Sequence, residues 1–584
     1  MRVFLNTDVL ISLAGDDSES NRFLNMINTA SDHSFWISAA SIPRVHNSLS
    51  KRWVPQSTRD RLNYIQNNFS MIPLRQSIVA AALEKKDTDF DTAVQIASAE
   101  AFKMDCMVTH TVGRNNNANI QIVTPDLFIK KMNAEDVDTV TQVPFLDLKA
   151  QHHQIYNEID EKLTDIITHT GFILGKHVEE FEQRFADTQE AKYCIGVSSG
   201  TDALHIALMA LGIGPGDAVM VPVNTFIATA EAVSLCGAVP VFVDCDEHFN
   251  MDINKIREIL HKTESEIGHR PTQTYTDVSS CGLAEGKGVI ASRKNRNLNK
   301  PDEPNLPRLS RRSGRSYRDE IHVNEERSVF HRGDPNLPRP KAVIPVHLYG
   351  QPANMDEIMA LADEYNLSVV EDCCQAHLAG WNHRRVGNFG AFGAFSFYPG
   401  KNLGAYGEAG ALITNDEELY ETAQMIRQHG EIERYNHKIV GHNYRMAAIQ
   451  GAVLATKLKY LKEWTRKRQN NARLYTELLA GVEGIHTPQE LEGTDCVYHL
   501  YVIRNHDRDG LQQYLQKNGV ATGLHYPIPL HLQEAYKDLG YKKGDFSMAE
   551  EAARSILSLP MYPELTERQI RYVCDKIKAF IWKR

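Results

Sequence analysis

The chain has 584 residues, with 64 basic and 74 acidic side chains and a formal net charge of −10 at pH 7. This length exceeds what one hydrophobic core supports, and the hydrophobic fraction of 42% and charged fraction of 24% are ordinary for a globular protein. Composition therefore excludes a collagen-like, a wholly disordered and a membrane-bundle protein, and the acidic balance argues against nucleic-acid binding by the chain as a whole.

The N-terminal residues 1–135 alternate short apolar runs with amphipathic stretches. The runs are MRVFL, SFWISAA, DCMVTH and IQIVTP, and the stretches are Ser77–Lys85 and Thr92–Phe102. This alternation predicts a small α/β domain with a parallel sheet, joined to the rest by a polar linker at 136–142. The apolar N-terminus VFLNTDVLISLAG carries Asp8 in its middle and has only Arg2 before it, so it indicates a buried strand rather than a signal peptide. The nine cysteines lack disulfide or zinc spacing, which favours a cytoplasmic protein.

Several motifs of this domain, NTDVLISLA, SAASIP and DFDTAVQIASAEAFKMDCMVTH, resemble those of PIN domains, whose active members cleave RNA with clustered carboxylates and Mg²⁺ or Mn²⁺. Asp8 matches the first acidic position, whereas Arg44 and Thr92 stand where the resemblance implies acids, and Asp91 is a possible substitute. Arg and Thr remove the charge and oxygen donors that a hard cation requires. We expect a degenerate PIN-like domain that holds no metal and cleaves nothing. Weak RNA or partner binding remains an alternative, and Asp8 can equally cap a helix.

The α/β alternation then resumes on a larger scale and is interrupted once. We predict that residues 143–263 and 341–395 form the first parts of a large domain. Residues 396–584 are predicted to form the rest of that domain together with a smaller C-terminal α/β domain. The intervening 264–340 is rich in Arg and Pro, poor in large apolar residues, and contains the repeat EPNLPR and DPNLPR. Such a segment buries too little apolar surface to offset its ordering entropy. We expect a disordered insertion, with nucleic-acid binding through its arginines as the lesser alternative.

The first motif that carries chemistry is GVSSGTDALHIALMAL, a strand end followed by a small-residue turn and an apolar-periodic helix. Free N–H groups and the positive end of the helix dipole make such a turn an anion site, with Ser199, Gly200 and Thr201 as the donors expected to face a phosphate. The same residues can cap the helix for structural reasons alone.

Later motifs contribute an acid and an amine. In SVVEDCCQAHLAG an apolar strand runs into Asp372, which places an acid where α/β sheets bind ligands; a helix cap is the alternative. In GAFSFYPGKNLGAYGEAG, Lys401 lies among small and apolar residues that should lower its pKa, as a Schiff-base nucleophile requires; a surface-loop lysine is the alternative. The motif GHNYRM places Asn443 and Arg445 at a helix start, where capping explains them equally well.

Together these motifs contain what pyridoxal phosphate chemistry requires, namely a lysine, an acid for the pyridine nitrogen and donors for the phosphate. In this order, and with FLDLKAQ, VPVNTFIATAEAV, PVHLYGQPANMDEI and HYPIPLHLQEAY, they resemble the DegT/DnrJ/EryC1/StrS family of pyridoxal-phosphate-dependent sugar aminotransferases. The resemblance covers nearly all of 143–263 and 341–584. It implies an α/β fold of the aspartate-aminotransferase type (PLP fold type I).

The resemblance also implies a role for each matching residue. Lys401 would hold the cofactor covalently and move protons, and Asp372 would pair with the pyridine nitrogen. Gln375 would lie near the phenolic oxygen, Phe226 would stack on the ring, and His377 would pack and orient the pocket. In an obligate homodimer with a shared active site, the phosphate would be held by Gly200, Thr201, Ser396 and, from the opposite subunit, Asn443.

The implied reaction is a ping-pong transamination in amino-sugar or polysaccharide biosynthesis. L-Glutamate would donate the amino group, and a dTDP- or UDP-linked 3-keto hexose would accept it. His525, Tyr526 and His531 would line the sugar-nucleotide pocket, with packing around two prolines as the alternative. Two other functions stay open: RNA binding or residual nuclease activity of the N-terminal domain on a non-catalytic scaffold, and cofactor binding without turnover. No membrane partner is expected.

Overall fold

The computed structural model describes residues 2–13, 34–51, 55–85, 88–110, 120–128, 140–267 and 338–582. Most of the predicted linker and most of the predicted insertion therefore lie outside the described residues. Within the described ranges, no helix combines the length and the apolar character that crossing a lipid bilayer requires.

The N-terminal unit contains five parallel strands, β1 (Arg2–Leu5), β2 (Ser34–Ser38), β3 (Ser70–Ile72), β4 (Cys106–Val108) and β5 (Gln121–Val123), in the spatial order β3-β2-β1-β4-β5. Its described helices are α1 (Thr7–Leu13), α2 (Ser41–Ser50), α3 (Pro55–Asn68), α4 (Gln76–Glu84) and α5 (Phe90–Ala101). Successive strand side chains point to opposite faces, so Leu5 and Phe35 join one apolar cluster and Phe4 and Trp36 join the other. The parallel α/β arrangement matches the alternation in the sequence, whereas its assignment as a PIN-like domain stays a prediction.

The first helix after this unit, α6 (Leu148–His169), contacts the N-terminal sheet. The Trp36 ring lies edge-on to Tyr156 of α6, with ring centroids 6.3 Å apart, and Tyr156 also packs against Phe102 at 5.7 Å. Arg75 donates to the Tyr156 hydroxyl and pairs with Asp160 at 3.3 Å. The N-terminal unit is therefore docked through aromatic and charged contacts on one helix.

The second unit is built around seven strands: β6 (Tyr193–Val197), β7 (Ala218–Pro222), β8 (Val239–Val243), β9 (Pro340–Val343), β10 (Ser368–Asp372), β13 (Phe392–Ser396) and β14 (Gly410–Thr414). Their spatial order is β6-β14-β13-β10-β9-β7-β8. Strand β14 runs antiparallel to both of its neighbours, and the other adjacent pairs run parallel. All five residues of β7 are buried, because helices cover both faces of the sheet.

These helices follow the strands in alternation. One face is covered by α8 (Gly200–Ala210), α9 (Ala228–Leu235) and α12 (Glu417–Arg427). The opposite face is covered by α7 (Lys176–Gln189), α10 (Ile253–Ile267), α11 (Met355–Tyr365) and α13 (Ala448–Lys457). The short hairpins β11 (Gly380–Trp381) with β12 (Arg384–Arg385), and β15 (Glu431–Glu433) with β16 (Asn436–His437), lie between these elements. The doubly covered, mostly parallel sheet places the carboxyl ends of its strands at one common edge.

A smaller C-terminal unit packs around a second core. It contains the antiparallel pair β18 (Tyr501–Arg504) and β19 (Ile556–Leu559) and the helices α14 (Leu461–Leu479), α15 (Arg508–Lys517), α16 (Ser547–Ser555) and α17 (Glu567–Trp582). The short strand β17 (Thr494–Asp495) pairs with β11 of the larger unit. Short 3₁₀ turns lie at Leu348–Gly350, Leu530–Leu532 and Glu534–Leu539. Val143 donates its N–H to Gly519 O at 2.8 Å, so the start of the second unit returns to this core.

The predicted insertion has narrower bounds in the structure than 264–340. Helix α10 continues to Ile267, because its amphipathic pattern keeps Ile256 and Leu260 buried against the sheet. Strand β9 already begins at Pro340, where Ala342 and Val343 are buried. The interruption therefore lies between a helix that packs against the seven-stranded sheet and the next strand of that sheet along the chain.

We expect replacement of residues 270–334 by a short glycine–serine linker to leave the second unit folded. Connections between a helix and the next strand are commonly short, and changing a connection's length alters its closure entropy by only about 1–2 kcal/mol. Thermal melting and gel filtration of the shortened and parent chains would check this. Loss of the folded chain on shortening would show that the segment contributes to the fold.

Candidate active site

Four segments meet at the edge of the seven-stranded sheet where its parallel strands end: the ends of β10 and β13, the start of α8 and the turn that carries Lys401. Asp372 is the last residue of β10 and Ser396 the last of β13, while α8 begins at Gly200 just after β6. A β-carbon placed on Gly200 would lie 2.7 Å from Ser396 Cβ. The fold thus brings residues that are distant in sequence into direct contact.

Asp372 is buried, and both of its carboxylate oxygens are oriented by donors. Oδ2 accepts from Thr229 Oγ1 at 2.9 Å, and Oδ1 accepts from the Cys374 N–H at 3.1 Å. Each oxygen keeps a further lone pair, so the carboxylate can accept one more hydrogen bond from a ligand at this edge.

Lys401 lies in the turn that follows β13, next to this acid. Its N–H donates to Tyr398 O at 2.8 Å, which closes the turn. Burial lowers the pKa of the Lys401 amine, and the nearby Cys374 and Asp372 oppose that shift. A lowered pKa increases the neutral, nucleophilic fraction of an amine, which is the property that covalent binding of a carbonyl compound requires.

The start of α8 is the segment that the sequence predicts as an anion site, and this role stays a prediction. Ser199 is the N-cap, and its Oγ accepts from the Asp202 N–H at 3.1 Å. Its side chain therefore caps the helix, and the main-chain N–H groups of Gly200 and Thr201 are the donors left to an anion. A side chain at Gly200 would collide with Ser396 and would approach Cys374 Sγ to 3.0 Å, so glycine is required for this close approach.

Gln375 links this edge to the C-terminal unit. Its Oε1 accepts from the Tyr349 N–H at 2.7 Å, and its Nε2 donates to the Tyr526 hydroxyl at 3.2 Å. The Tyr526 ring lies 5.7 Å from the ring of Phe226, which is 53% exposed. Phe226 therefore presents an open aromatic face beside the acid and the amine.

These groups fit the parts of pyridoxal phosphate. That cofactor needs an amine for its aldehyde, an acid for its ring nitrogen and donors for its phosphate. Lys401, Asp372 and the N-terminus of α8 provide these at one edge, where Gly200 leaves the helix start free of a side chain that would collide with Ser396.

Of the three residues predicted to line a sugar-nucleotide pocket, two lie near this edge. Tyr526 contacts Gln375, and His525 stacks on Phe145 with its Nδ1 2.8 Å from Ser558 Oγ. Burial, followed by the charge of Lys401, lowers the pKa of His525 to about 4.

The third residue, His531, has a different position. Its side chain is completely buried, with Nε2 3.1 Å from Glu550 Oε1 and the ring packed on Phe546. A side chain without solvent contact does not face an open pocket, so the predicted lining role of His531 is corrected to internal packing.

Asn443 is not part of the sheet edge formed by its own chain. Its side chain is exposed, and its Oδ1 accepts from Arg445 Nε at 2.9 Å. The following residue is anchored beside β6, because Tyr444 O accepts the Ser198 N–H at 2.9 Å. A role for Asn443 in a second subunit stays a prediction.

Two further residues of the site were not identified from the sequence. Thr229 orients Asp372, and its place three residues after Phe226 in the quoted motif NTFIATAEAV was the available signal. His499 has its Nδ1 3.2 Å from Asn402 Oδ1, next to Lys401 in the chain, and burial holds its pKa well below the ordinary value. No pattern in the sequence points to His499, since it reaches the site from the C-terminal unit.

His377 packs beneath the same edge. Its Nε2 donates to Ser396 O at 3.0 Å, and its Nδ1 is buried with no hydrogen-bond partner within the described part of the chain. Burial, with a smaller contribution from the Lys401 charge, lowers the pKa of His377 to about 3. The ring is therefore held neutral and in the tautomer that carries hydrogen on Nε2.

We expect His377 to make the free energy of unfolding depend on pH. Between about pH 3 and the unfolded pKa of about 6.5, the unfolded chain binds a proton that the folded chain excludes, so stability falls as pH falls. One histidine changes the free energy of unfolding by at most about 1.4 kcal/mol per pH unit. Urea unfolding at pH 7, 6 and 5 should give a flatter profile for His377→Gln, with the exposed His506→Gln as control. Equal slopes in all three chains would contradict the assignment.

Glu371, the buried acid that precedes Asp372 in the chain, stabilises the fold. His347, Glu371 and Cys373 form a trio with metal-ligand spacing, the one such group within the described ranges. His347 Nε2 lies 3.2 Å from Glu371 Oε2, and its Nδ1 accepts a backbone N–H. The carboxylate is already occupied by three backbone N–H groups at 2.7–2.9 Å, from Gly387, Phe389 and Gly390. Its oxygens therefore bind the connecting loop and not an ion.

The N-terminal acids are also engaged by protein groups. Asp8 follows β1, where the strand order reverses, and its Oδ2 accepts from Thr109 Oγ1 at 2.7 Å. Arg44 lies at the position where the PIN resemblance implies an acid, and it pairs with Asp91 at 2.6 Å. This pairing neutralises the possible substitute ligand.

Comparison with known proteins identifies relatives of the second unit. The sequence profile of the DegT/DnrJ/EryC1/StrS aminotransferase family matches residues 153–267 and 336–578. The chain is 38% identical over 441 residues to the pleiotropic regulatory protein of Geobacillus stearothermophilus, covering 75% of this chain and 98% of the relative. It is 36% identical over 439 residues to the dTDP-3-amino-3,4,6-trideoxy-alpha-D-glucose transaminase of Streptomyces venezuelae, covering 75% and 96%.

A solved structure shows the same similarity. S. venezuelae DesV, determined in complex with a ketimine intermediate, superposes with a TM-score of 0.61 at 35% identity, covering 76% of this chain and 99% of DesV. The family match starts at residue 153 and breaks at the interruption between α10 and β9, so it leaves the N-terminal sheet unmatched.

Proposed function

The chain belongs to the DegT/DnrJ/EryC1/StrS aminotransferase family, and from this premise we propose that it transfers the amino group of L-glutamate to a nucleotide-linked keto-hexose. The acceptor is a dTDP- or UDP-linked 3-keto sugar of amino-sugar or polysaccharide biosynthesis. The observation that carries the proposal is the meeting of Lys401, Asp372 and the N-terminus of α8 at one sheet edge. A relative named as a dTDP-3-amino-sugar transaminase supports the acceptor class.

Pyridoxal phosphate bound at this edge would supply an electron sink for the carbon that loses or gains the amine. The main-chain N–H groups of Gly200 and Thr201, with Ser396, would bind its phosphate. Asp372, oriented by Thr229, would keep a proton on the ring nitrogen, because a carboxylate forms a charge-assisted hydrogen bond with a protonated nitrogen. Gln375 would contact the phenolic oxygen.

Lys401 Nζ would also transfer the proton that moves during the reaction. Burial lowers the pKa of this amine and so increases its neutral fraction, and the neutral amine would accept a proton from the donor's α-carbon and return it at the neighbouring carbon. His377, His499 and His525 all have lowered pKa values, so neutral rings surround the amine and add no positive charge. The exposed ring of Phe226 would leave room for a sugar beside it.

A homodimer is part of the same proposal. Apolar side chains near Asn443 are strongly exposed in the single chain, among them Ile432, Tyr435 at 79% and Val440 at 87%. Such a patch on the β15–β16 hairpin and the segment after it is typical of a protein–protein interface. A second copy covering it would bring Asn443 of one subunit toward the phosphate site of the other.

The test is an absorbance spectrum of the protein reconstituted with pyridoxal phosphate, before and after addition of L-glutamate. We expect a band near about 410–430 nm that moves to about 330 nm as the amine is transferred. D-Glutamate is the matched control and should leave the band in place. A band that L-glutamate does not move would contradict the donor assignment.

The acceptor is tested on the protein already treated with L-glutamate and freed of excess donor. dTDP- and UDP-linked 3-keto sugars should restore the long-wavelength band, and the corresponding 4-keto sugars should restore it more slowly. Failure of every nucleotide-linked keto sugar would overturn the acceptor class.

A further inference from the structure

The turn that carries Lys401 is closed on itself and held from one side by α13. Ala405 N–H donates to Phe397 O at 2.8 Å, and a β-carbon on Gly404 would lie 2.3 Å from Pro399 O. The turn therefore has a tight, glycine-dependent path. Its direction decides where the Lys401 side chain points.

Two side chains of α13 hold the second half of this turn. Gln450 Oε1 accepts the Tyr406 N–H at 2.9 Å. Lys457, the last residue of the helix, donates from Nζ to Gly404 O at 2.8 Å and lies 4.7 Å from the centroid of the Tyr406 ring. The Tyr406 hydroxyl in turn contacts His152 Nδ1 on α6.

The charge of Lys457 is unusual for its surroundings. The residue is 2% exposed, and burial lowers its pKa to about 8, opposed by Glu564. The titratable groups that face it are Tyr406, His152 and Glu564. An ammonium group is expensive to bury, and an apolar side chain of the same length would satisfy packing alone. The contacts that use the charge are those to the Lys401 turn.

We propose that Lys457 is a positioning residue for Lys401: its ammonium fixes the Gly404 carbonyl and the Tyr406 ring, and so fixes the path of the turn from which the Lys401 amine projects. This inference rests on the proposed function, since it concerns the amine that would hold the cofactor. Lys457 acts through the turn and touches neither substrate nor cofactor.

The test compares Lys457→Met with Lys457→Arg and with Lys459→Met. In the parent chain Lys459 is an exposed lysine that pairs with Glu158. In Lys457→Met the dissociation constant for pyridoxal phosphate should rise about tenfold, the effect of one charge-assisted hydrogen bond. The induced circular dichroism of the bound cofactor band, which reports its orientation, should lose intensity. Lys457→Arg should restore most of both quantities, and Lys459→Met should match the parent.

The melting temperature of the cofactor-free protein separates positioning from general stability. It should change little in Lys457→Met, because relief of the buried charge offsets the loss of the hydrogen bond to Gly404 O. A parent-like dissociation constant and dichroism in Lys457→Met would overturn the proposal, whereas a parent that never forms the cofactor band would overturn the proposed function as well.

A second pair of variants keeps the test decisive should Lys457→Met fail to fold. Tyr406→Phe keeps the aromatic face for the ammonium, and Tyr406→Leu removes it. Tyr406→Leu should weaken cofactor binding as Lys457→Met is expected to, while Tyr406→Phe should stay near the parent. Equal binding by both variants would overturn the proposal.

Discussion

Replacing Lys401 with alanine should abolish the absorbance band near about 410–430 nm and lower amino transfer roughly 10³- to 10⁴-fold, because one substitution removes both the covalent anchor and the proton carrier. The fold should persist, since the turn is held by main-chain contacts and by Asn402, whose Nδ2 donates to Val497 O at 3.0 Å. Burial lowers the pKa of the Lys401 amine, so its charged form is disfavoured in place and its removal should not lower the melting temperature.

Two controls make this result specific. Lys401→Arg keeps a cation of similar length but offers no free amine at neutral pH, so it should be as inactive as alanine. Lys459→Ala removes an exposed lysine and should behave like the parent. Transfer at the parent rate by Lys401→Ala would show that another amine carries the reaction.

Replacing Asp372 with asparagine should lower amino transfer about 10²- to 10³-fold, the range seen when a preorganised electrostatic contact is lost. The amide keeps an oxygen for Thr229 or Cys374 but carries no charge to hold a proton on the ring nitrogen. Cofactor binding should change much less, because Lys401 and the N-terminus of α8 are unaltered. Steady-state rates and the pyridoxal phosphate dissociation constant measured on the same preparation would show this split.

The matched variant for Asp372→Asn is Thr229→Val. It removes the hydroxyl that donates to Oδ2 at 2.9 Å and leaves the charge in place. The expected loss is about tenfold, as for one hydrogen bond to a charged group. A larger loss in Thr229→Val than in Asp372→Asn would indicate that orientation of the carboxylate, and not its charge, limits the reaction.

The family and the main elements of the fold could be recognised from the sequence. The motifs around Lys401 and Asp372 predicted an aminotransferase of this family, which the family match and the named relatives confirm. The motif GVSSGTDALHIALMAL predicted a strand end, a turn and a helix, and the structure has β6 and α8 there. The short strand β3 was not foreseen. The helix before the interruption ends at Ile267 and not at 263, and the strand after it begins at Pro340 and not at 341, because terminal turns have weak patterns.

Most residues that support the site could not be identified from the sequence. Lys457 is one of many lysines in the sequence, and only its burial against Gly404 and Tyr406 distinguishes it. His531 belongs to a motif of the resemblance, yet the structure buries it beside Glu550. A motif records which residue type stands at a position, whereas exposure depends on which elements pack around it.

The sequence by itself therefore determined the class of chemistry, because an amine in a small-residue turn, an acid at a strand end and a glycine at a helix start are local features. It also determined the alternation of strands and helices, which follows from local hydrophobic periodicity. The order of the seven strands, the meeting of Gly200 with Ser396 and the contact of Lys457 with Gly404 were decided by tertiary structure alone. These contacts join residues far apart in the chain, and their energies depend on close packing between elements that no local pattern encodes.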